Sequence, residues 1–181
     1  MTRREWLVLA AAAPLAAAGD DPRLAQYFED FLASWVRASP ELATFSRILS
    51  SAEQDRLDGQ LNEIGDKAEH ARISRAKDGL IGLHKFDRSK LSAEQGLSYD
   101  MLEYELNDVV AEEPYLLYTF PLNQFRGIQV GFPSLMTDVH PLRNQKDAEN
   151  YLARLRAFGP KLDQALGMMQ DRARQGIRLP A

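Results

Sequence analysis

The sequence of 181 residues contains no cysteine, so disulfide frameworks, thiolate metal sites and cysteine nucleophiles are excluded. Histidine is scarce, with only His70, His84 and His140. None lies four residues from another, so the H-E-x-x-H arrangement, which sets two zinc ligands on one helix face, is absent. No glutamate precedes a histidine by three residues, which removes the di-iron bundle motif as well. G-x-S-x-G, Walker and G-x-G-x-x-G loops are also missing. Basic charge is not in excess: 22 Lys and Arg face 26 Asp and Glu, for a net charge of −4. A general nucleic-acid binder needs a basic surface to displace counterions, and the small cluster Arg72, Arg75 and Lys77 is too weak to supply one.

What is present is enough to fold. Hydrophobic residues make up 45% and charged residues 27%, the composition of a single globular domain. The amino terminus reads as an export signal over residues 1–18. Arg3 and Arg4 precede an apolar run from Trp6 to Ala18, too short for a helix of about 20 residues to cross a bilayer. Pro14 would break a helix, and Ala16 and Ala18 form a small-x-small cleavage site before Gly19. Thr2-Arg3-Arg4-Glu5-Trp6-Leu7 also fits a twin-arginine signal, and both export routes stay open. No cysteine follows the run, so no lipid anchor is expected there. The expected location is periplasmic or extracellular, with no stable membrane anchor.

Residues 19–181 read as all-α, an irregular helical bundle. Asp21 and Pro22 open a helix with Leu24, Phe28, Phe31 and Trp35 on one stripe, broadened by Tyr27 and Leu32. Ser39-Pro40 opens a short helix carrying Leu42, Phe45 and Leu49. A capping box, Ser51 with Gln54, predicts a long helix with a seam of Leu57, Leu61, Ile64, Ala68 and Ala71. Gly65, Gly79 and Gly82 weaken it, and a kink or break is expected near Gly79. A second box, Ser92 with Gln95, opens the helix of Leu102, Leu106 and Val109, which Pro114 ends. Asn144 caps a last long helix with Tyr151, Leu152, Leu155, Phe158, Leu162, Leu166 and Met169 facing inward, kinked near Phe158 by Pro160. Between them, residues 114–141 form an aromatic and proline-rich connection, ordered and partly buried, with short strands as its other reading.

Chemistry-bearing candidates are few. His84 and Asp87 could share a face, although a helix-end histidine on the carbonyl dipole explains His84 better. Asp100 and Glu103 could work as paired carboxylates, but the acidic residues around them favour a solvated face. The aromatic connection is the best candidate for binding. Asn123, Gln124, Arg126 and His140 are polar groups set among Tyr115, Tyr118, Phe120, Phe125 and Phe132, a composition that binding pockets favour. Such groups equally often satisfy loop backbone amides.

Five segments occur in a telling order: Ser39-Pro40-Glu41-Leu42-Ala43-Thr44, Leu97-Ser98-Tyr99-Asp100-x-x-Glu103-Tyr104, Pro121-Leu122-Asn123-Gln124-Phe125-x-Gly127, and His140-Pro141 before Ala148-Glu149-x-Tyr151-Leu152-Ala153-Arg154-Leu155. Gly176-Ile177-x-x-Pro180 closes the set. Together they resemble the amino-terminal third of a bacterial exported family catalogued as domain of unknown function 885. The resemblance implies large, mostly helical, zincin-like proteins, predicted metal-dependent peptidases whose H-E-x-x-H-type motif lies downstream of the region matched. It therefore implies zinc only for a full-length member, with no catalytic or metal residue on this chain. Only Asn123, Gln124 and His140-Pro141 carry over, as positions in recurrent family segments. On this reading the chain is a truncated amino-terminal portion that helps form a substrate cleft and is inactive alone. Its partners are the missing carboxy-terminal portion and a peptide substrate. A stand-alone periplasmic helical binding or interaction module is the alternative.

Overall fold

A computed structural model describes residues 20–179. The expected signal peptide, with Arg3, Arg4, Ala16 and Ala18, lies outside the described residues. Among them the structure is all-α, with seven α-helices and no strand: α1 (Pro22–Arg37), α2 (Pro40–Ser46), α3 (Ser51–Asp58), α4 (Asp66–Leu83), α5 (Ala93–Ala111), α6 (Ile128–Ser134) and α7 (Gln145–Arg174). Short 3₁₀ turns cover Arg88–Lys90 and Glu113–Tyr118, and a π turn covers Leu135–Val139. Contacts divide the chain into two units.

The first unit takes the described residues to Trp35 and His70–Glu113. Asp21 opens α1 by accepting the Arg23 amide at 2.9 Å, with Pro22 as the first helical residue. The expected stripe then packs: Leu24 and Phe28 join Leu83 and Tyr99 in one cluster, with Tyr27, Phe86, Leu91 and Leu102 against it. Ser92 caps α5 by accepting the Gln95 amide at 3.2 Å. Only half of that capping box forms, because the buried Gln95 side chain pairs instead with the Asp21 backbone, accepting its N–H and donating to its carbonyl, both at 2.9 Å. Helix α4 does not break at Gly79. Gly79 is buried in its carboxy-terminal half, where a Cβ would lie 2.5 Å from Phe31 and 2.9 Å from Leu106. Close packing of that neighbouring ring requires glycine, and the seam of α4 is Ile73, Ala76, Gly79 and Leu83, while Ala71 is exposed.

The second unit takes Val36–Glu69 and the described residues from Pro114. Ser39 caps α2 and Pro40 begins it, as expected, but Phe45 is 47% exposed and the buried residues are Ala43 and Thr44. The predicted long helix from Ser51 is two helices, α3 and α4, separated by Gly59–Gly65. The Ser51–Gln54 box does not form: Ser50 holds the cap position without a side-chain bond, and Gln54 is buried, donating to Ala43 O and Asp58 Oδ1, each at 2.9 Å. The break ends at Gly65, with φ +107°, in the left-handed region open to glycine. Carbonyls freed by the break are taken by side chains of α7: Asp55 O by Asn150 at 2.7 Å, Gln60 O by Arg154 at 2.8 Å and Ile64 O by Gln164 at 2.8 Å. Helix ends leave such carbonyls unpaired, and donors from α7 make stopping α3 cheaper than continuing it.

That arrangement inverts the expected face of α7. Asn144 caps it, accepting the Asp147 amide at 2.9 Å, and the helix runs unbroken through Pro160. Its buried residues are Asp147, Asn150, Arg154, Ala165 and Arg172. Leu152, Leu155 and Leu166, expected inside, are 47%, 44% and 51% exposed. The polar side of α7 faces its neighbours because their helix ends need donors there.

The 114–141 connection is helical where it is regular. Arg172 donates to the carbonyls of Thr119 and Leu116, and its guanidinium lies 5.7 Å from the centre of the Phe120 ring. Phe132 stacks on Phe158 at 3.8 Å between centroids. Other aromatics stay outside: Tyr115 and Tyr118 are each 63% exposed.

Candidate functional site

Two of the four candidate residues are held by the backbone around them, and two are presented. Asn123 folds residues 121–127 into a tight turn. Its Oδ1 accepts the amides of Phe125 and Arg126 at 3.1 and 2.8 Å, and its Nδ2 donates to Phe120 O at 3.1 Å. The Ile128 amide closes the loop onto Pro121 O at 2.9 Å, and Gln129 Nε2 donates to Asn123 O at 2.6 Å. Gly127 is required by space alone, since a Cβ there would sit 2.5 Å from Asn123 N and 2.7 Å from Asn123 O. An asparagine that bonds the amides two and three residues on is the usual Asx turn. Gln124 and Arg126 are exposed on this turn, and Phe125 between them is 79% exposed. A phenylalanine so fully in water, on a loop fixed by five hydrogen bonds, retains little conformational freedom to lose on binding.

His140 belongs to a different structure. It is 7% exposed, and no hydrogen bond among the described residues joins it to the turn. Its Nε2 stands 3.0 Å from Asp147 O and its Nδ1 3.0 Å from Arg154 Nη1. A carbonyl can only accept and a guanidinium can only donate, so this ring carries its proton on Nε2 and accepts at Nδ1. Both nitrogens are occupied, which leaves none to hold a ligand. His140 is a brace, not a member of the site that the sequence suggested.

The brace leads to the residue that the sequence did not single out. Arg154 has no exposed surface. Its Nε donates to Gln60 O at 2.8 Å, and Nη2 to Thr44 Oγ1 at 2.6 Å and to Pro40 O and Leu57 O at 3.3 Å. Thr44 passes the network to Asp58 at 2.7 Å, where Gln54 and Arg47 also converge. Burial pulls the Arg154 guanidinium below the ordinary arginine value, while Asp58 and Glu41 draw it back up. A cation at the carboxy-terminal end of α3 also meets the negative pole of that helix. Thus Pro40 and Thr44 of the Ser39–Thr44 segment serve Arg154, while Glu41 pairs with Lys161 at 2.7 Å.

The remaining candidates resolve into ion pairs. His84 directly follows the last residue of α4, where a histidine was expected, and its Nε2 also lies 2.7 Å from Glu103 Oε1. Asp87 Oδ1 accepts the Ser89 amide and hydroxyl, and Asp100 pairs with Arg88 at 2.7 Å. Arg72 pairs with Glu112 and Lys77 with Glu113. Among the described residues no group of three histidine or carboxylate side chains is placed to hold a metal ion. The zinc that the resemblance implies for a full-length member has no ligand set among the described residues. No helix among them is long and apolar enough to cross a membrane.

A family model described as "Bacterial protein of unknown function (DUF885)" matches residues 40–181. The chain belongs to this family. No curated protein and no solved structure matches the chain. The matched part of this DUF885 chain contains the whole Arg154 network and the 121–127 turn.

Proposed function

We propose that this DUF885 chain is the exported, helical amino-terminal portion of a zincin-like, peptidase-type protein and helps to form its substrate cleft without carrying the metal-binding catalytic motif. The reading rests on the turn at 121–127. Asn123 and Gly127 fix its backbone, and the product of that effort is an exposed Phe125 flanked by Gln124 and Arg126. Apolar side chains presented on rigid loops are the usual anchors of recognition. Phe125 would pack an apolar side chain of an extended peptide, and Arg126 would pair with a carboxylate on it. In this reading the carboxy-terminal portion of the family domain supplies zinc ligands and general base. The exposed Leu97, Met101 and Tyr104 of α5 offer apolar surface for packing against further polypeptide.

Titration of the purified chain with a fluorescent peptide carrying leucine next to glutamate tests the reading. Saturable binding that weakens about fivefold or more in Phe125→Ala is expected, since truncating an anchor costs more than about 1 kcal/mol. Stoichiometric zinc accompanied by peptide hydrolysis in the 181-residue chain would overturn it. A second reading, a stand-alone periplasmic binding or interaction module, is favoured by the leucines that α7 turns outward. A cooperative melt and a monodisperse chain support that second reading, whereas aggregation and dye-binding apolar patches support a severed portion.

A further inference from the structure

The outer face of α7 is arranged symmetrically about one residue. Gly159 is exposed, and a Cβ built on it would meet nothing within 4 Å. Leu152 lies seven residues before it and Leu166 seven after. With about 3.6 residues per turn, all three fall on one line along the helix, directly opposite the buried Asn150 and Arg154. On one flank of this line stand Arg156 and Asp163, both exposed and neither in an ion pair among the described residues. On the other flank stand Leu155, 44% exposed, and the half-buried Leu162.

We propose that this face binds the same face of a second copy of the chain, with two α7 helices antiparallel and crossing at Gly159. An antiparallel pair has its two-fold axis perpendicular to the plane of the helices, so each flank meets its own kind. Leu152 then faces Leu166 of the other copy, and Leu155 faces Leu162. Arg156 comes level with Asp163 to within about one residue, roughly 1.5 Å along the axis, and the symmetry makes that ion pair twice. Gly159 faces itself, which lets the axes approach to about 8 Å, the close end of helix packing. A parallel pair has its two-fold axis along the helices and would set the Arg156 and Asp163 flank of one copy against the Leu155 and Leu162 flank of the other, leaving the charges without ion partners. Charge thus selects the antiparallel register. A single pair of helices buries less than the roughly 1,200 Å² of a standard stable interface, so the dimer is weak and concentration-dependent.

The absence of cysteine makes a direct test available. Gly159→Cys in the full chain places one thiol per copy at the crossing point, where Cα atoms within about 7 Å can be bridged. Under mild oxidation this variant is expected to form a covalent dimer faster than Ser74→Cys, an exposed control on α4. Adding Arg156→Asp should slow cross-linking about fivefold, and Arg156→Asp with Asp163→Arg should restore it. Circular dichroism confirms that each variant retains its helices. Cross-linking of Gly159→Cys no faster than the control would overturn the proposal. Failure of the double charge exchange to restore the rate would overturn the register.

Discussion

Replacing Arg154 with alanine should be the most damaging single change in the second unit. The side chain is fully buried and reaches five acceptors: the carbonyls of Pro40, Leu57 and Gln60, Thr44 Oγ1 and His140 Nδ1. The two bonds at 3.3 Å count for little. Three good bonds therefore disappear, each leaving a buried acceptor at about 1–3 kcal/mol. Relief from burying the cation offsets part of this, while the loss leaves Asp58 with Arg47, 3.2 Å away, and the more distant Arg143. A net loss of about 4 kcal/mol follows, in the range for removing one member of a buried charged network. Domains are stable by only about 5–15 kcal/mol. Urea unfolding followed by circular dichroism would read this as a midpoint lower by about 2 M, with a slope near 2 kcal/mol/M. Arg154→Lys should fall between, at about 2 kcal/mol, because three donors on a flexible stem cannot span the same acceptors. An alanine variant within about 1 kcal/mol of the parent would refute the reasoning.

Other outcomes follow from single observations. Gly79→Ala gains about 1 kcal/mol in helix propensity but forces a Cβ onto Phe31 and Leu106; overpacking costs about 1–3 kcal/mol, so thermal melts should show a net loss. The Asp147 carboxyl is held below the usual carboxylate value, chiefly by Arg143, which donates Nε at 3.0 Å. A lowered folded value means stability that is complete above the unfolded value of about 3.9 and lost as pH falls through the folded one. The difference in stability between the parent and Asp147→Asn should accordingly be full at neutral pH and shrink below about pH 4. Burial pushes the Tyr27 hydroxyl up to about 12, and it donates to Gly79 O; burial also raises Tyr99, so ultraviolet titration should show more than one tyrosine ionising late, with one of those late steps lost in Tyr27→Phe. Asn123→Ala should free the 121–127 turn and raise amide exchange at Phe125 and Arg126, with global stability falling by no more than about 1 kcal/mol.

The parts of the fold that the sequence disclosed are those set by local chemistry. Asp21-Pro22, Ser39-Pro40, Ser92 and Asn144 each carry a capping group or a fixed φ, and each begins a helix where expected. The apolar stripe of α1 was equally plain, because Leu24 and Phe28 pack on leucine and tyrosine with no polar competitor. What stayed hidden depends on partners distant in sequence. Gln54 looked like half of a capping box, yet it is buried against Ala43 and Asp58. The leucines of α7 looked like its core face, yet the carbonyls of Asp55, Gln60 and Ile64 needed donors, and periodicity cannot register that need. Arg154 lies opposite the line of Leu152 and Leu166, where periodicity reads an arginine as a solvated residue. Of the proposed site, Asn123 was legible as a turn former. The outward aim of Phe125 depends on Gly127 and Gln129, whose contacts no spacing rule describes.

Hydrogen–deuterium exchange of the full chain, with and without the leucine–glutamate peptide and read by mass spectrometry, tests the central claim most directly. The account predicts slower exchange confined to residues around 115–130, with the peptide recovered at its original mass. Protection elsewhere with none at the turn, or a peptide recovered cleaved, would contradict it.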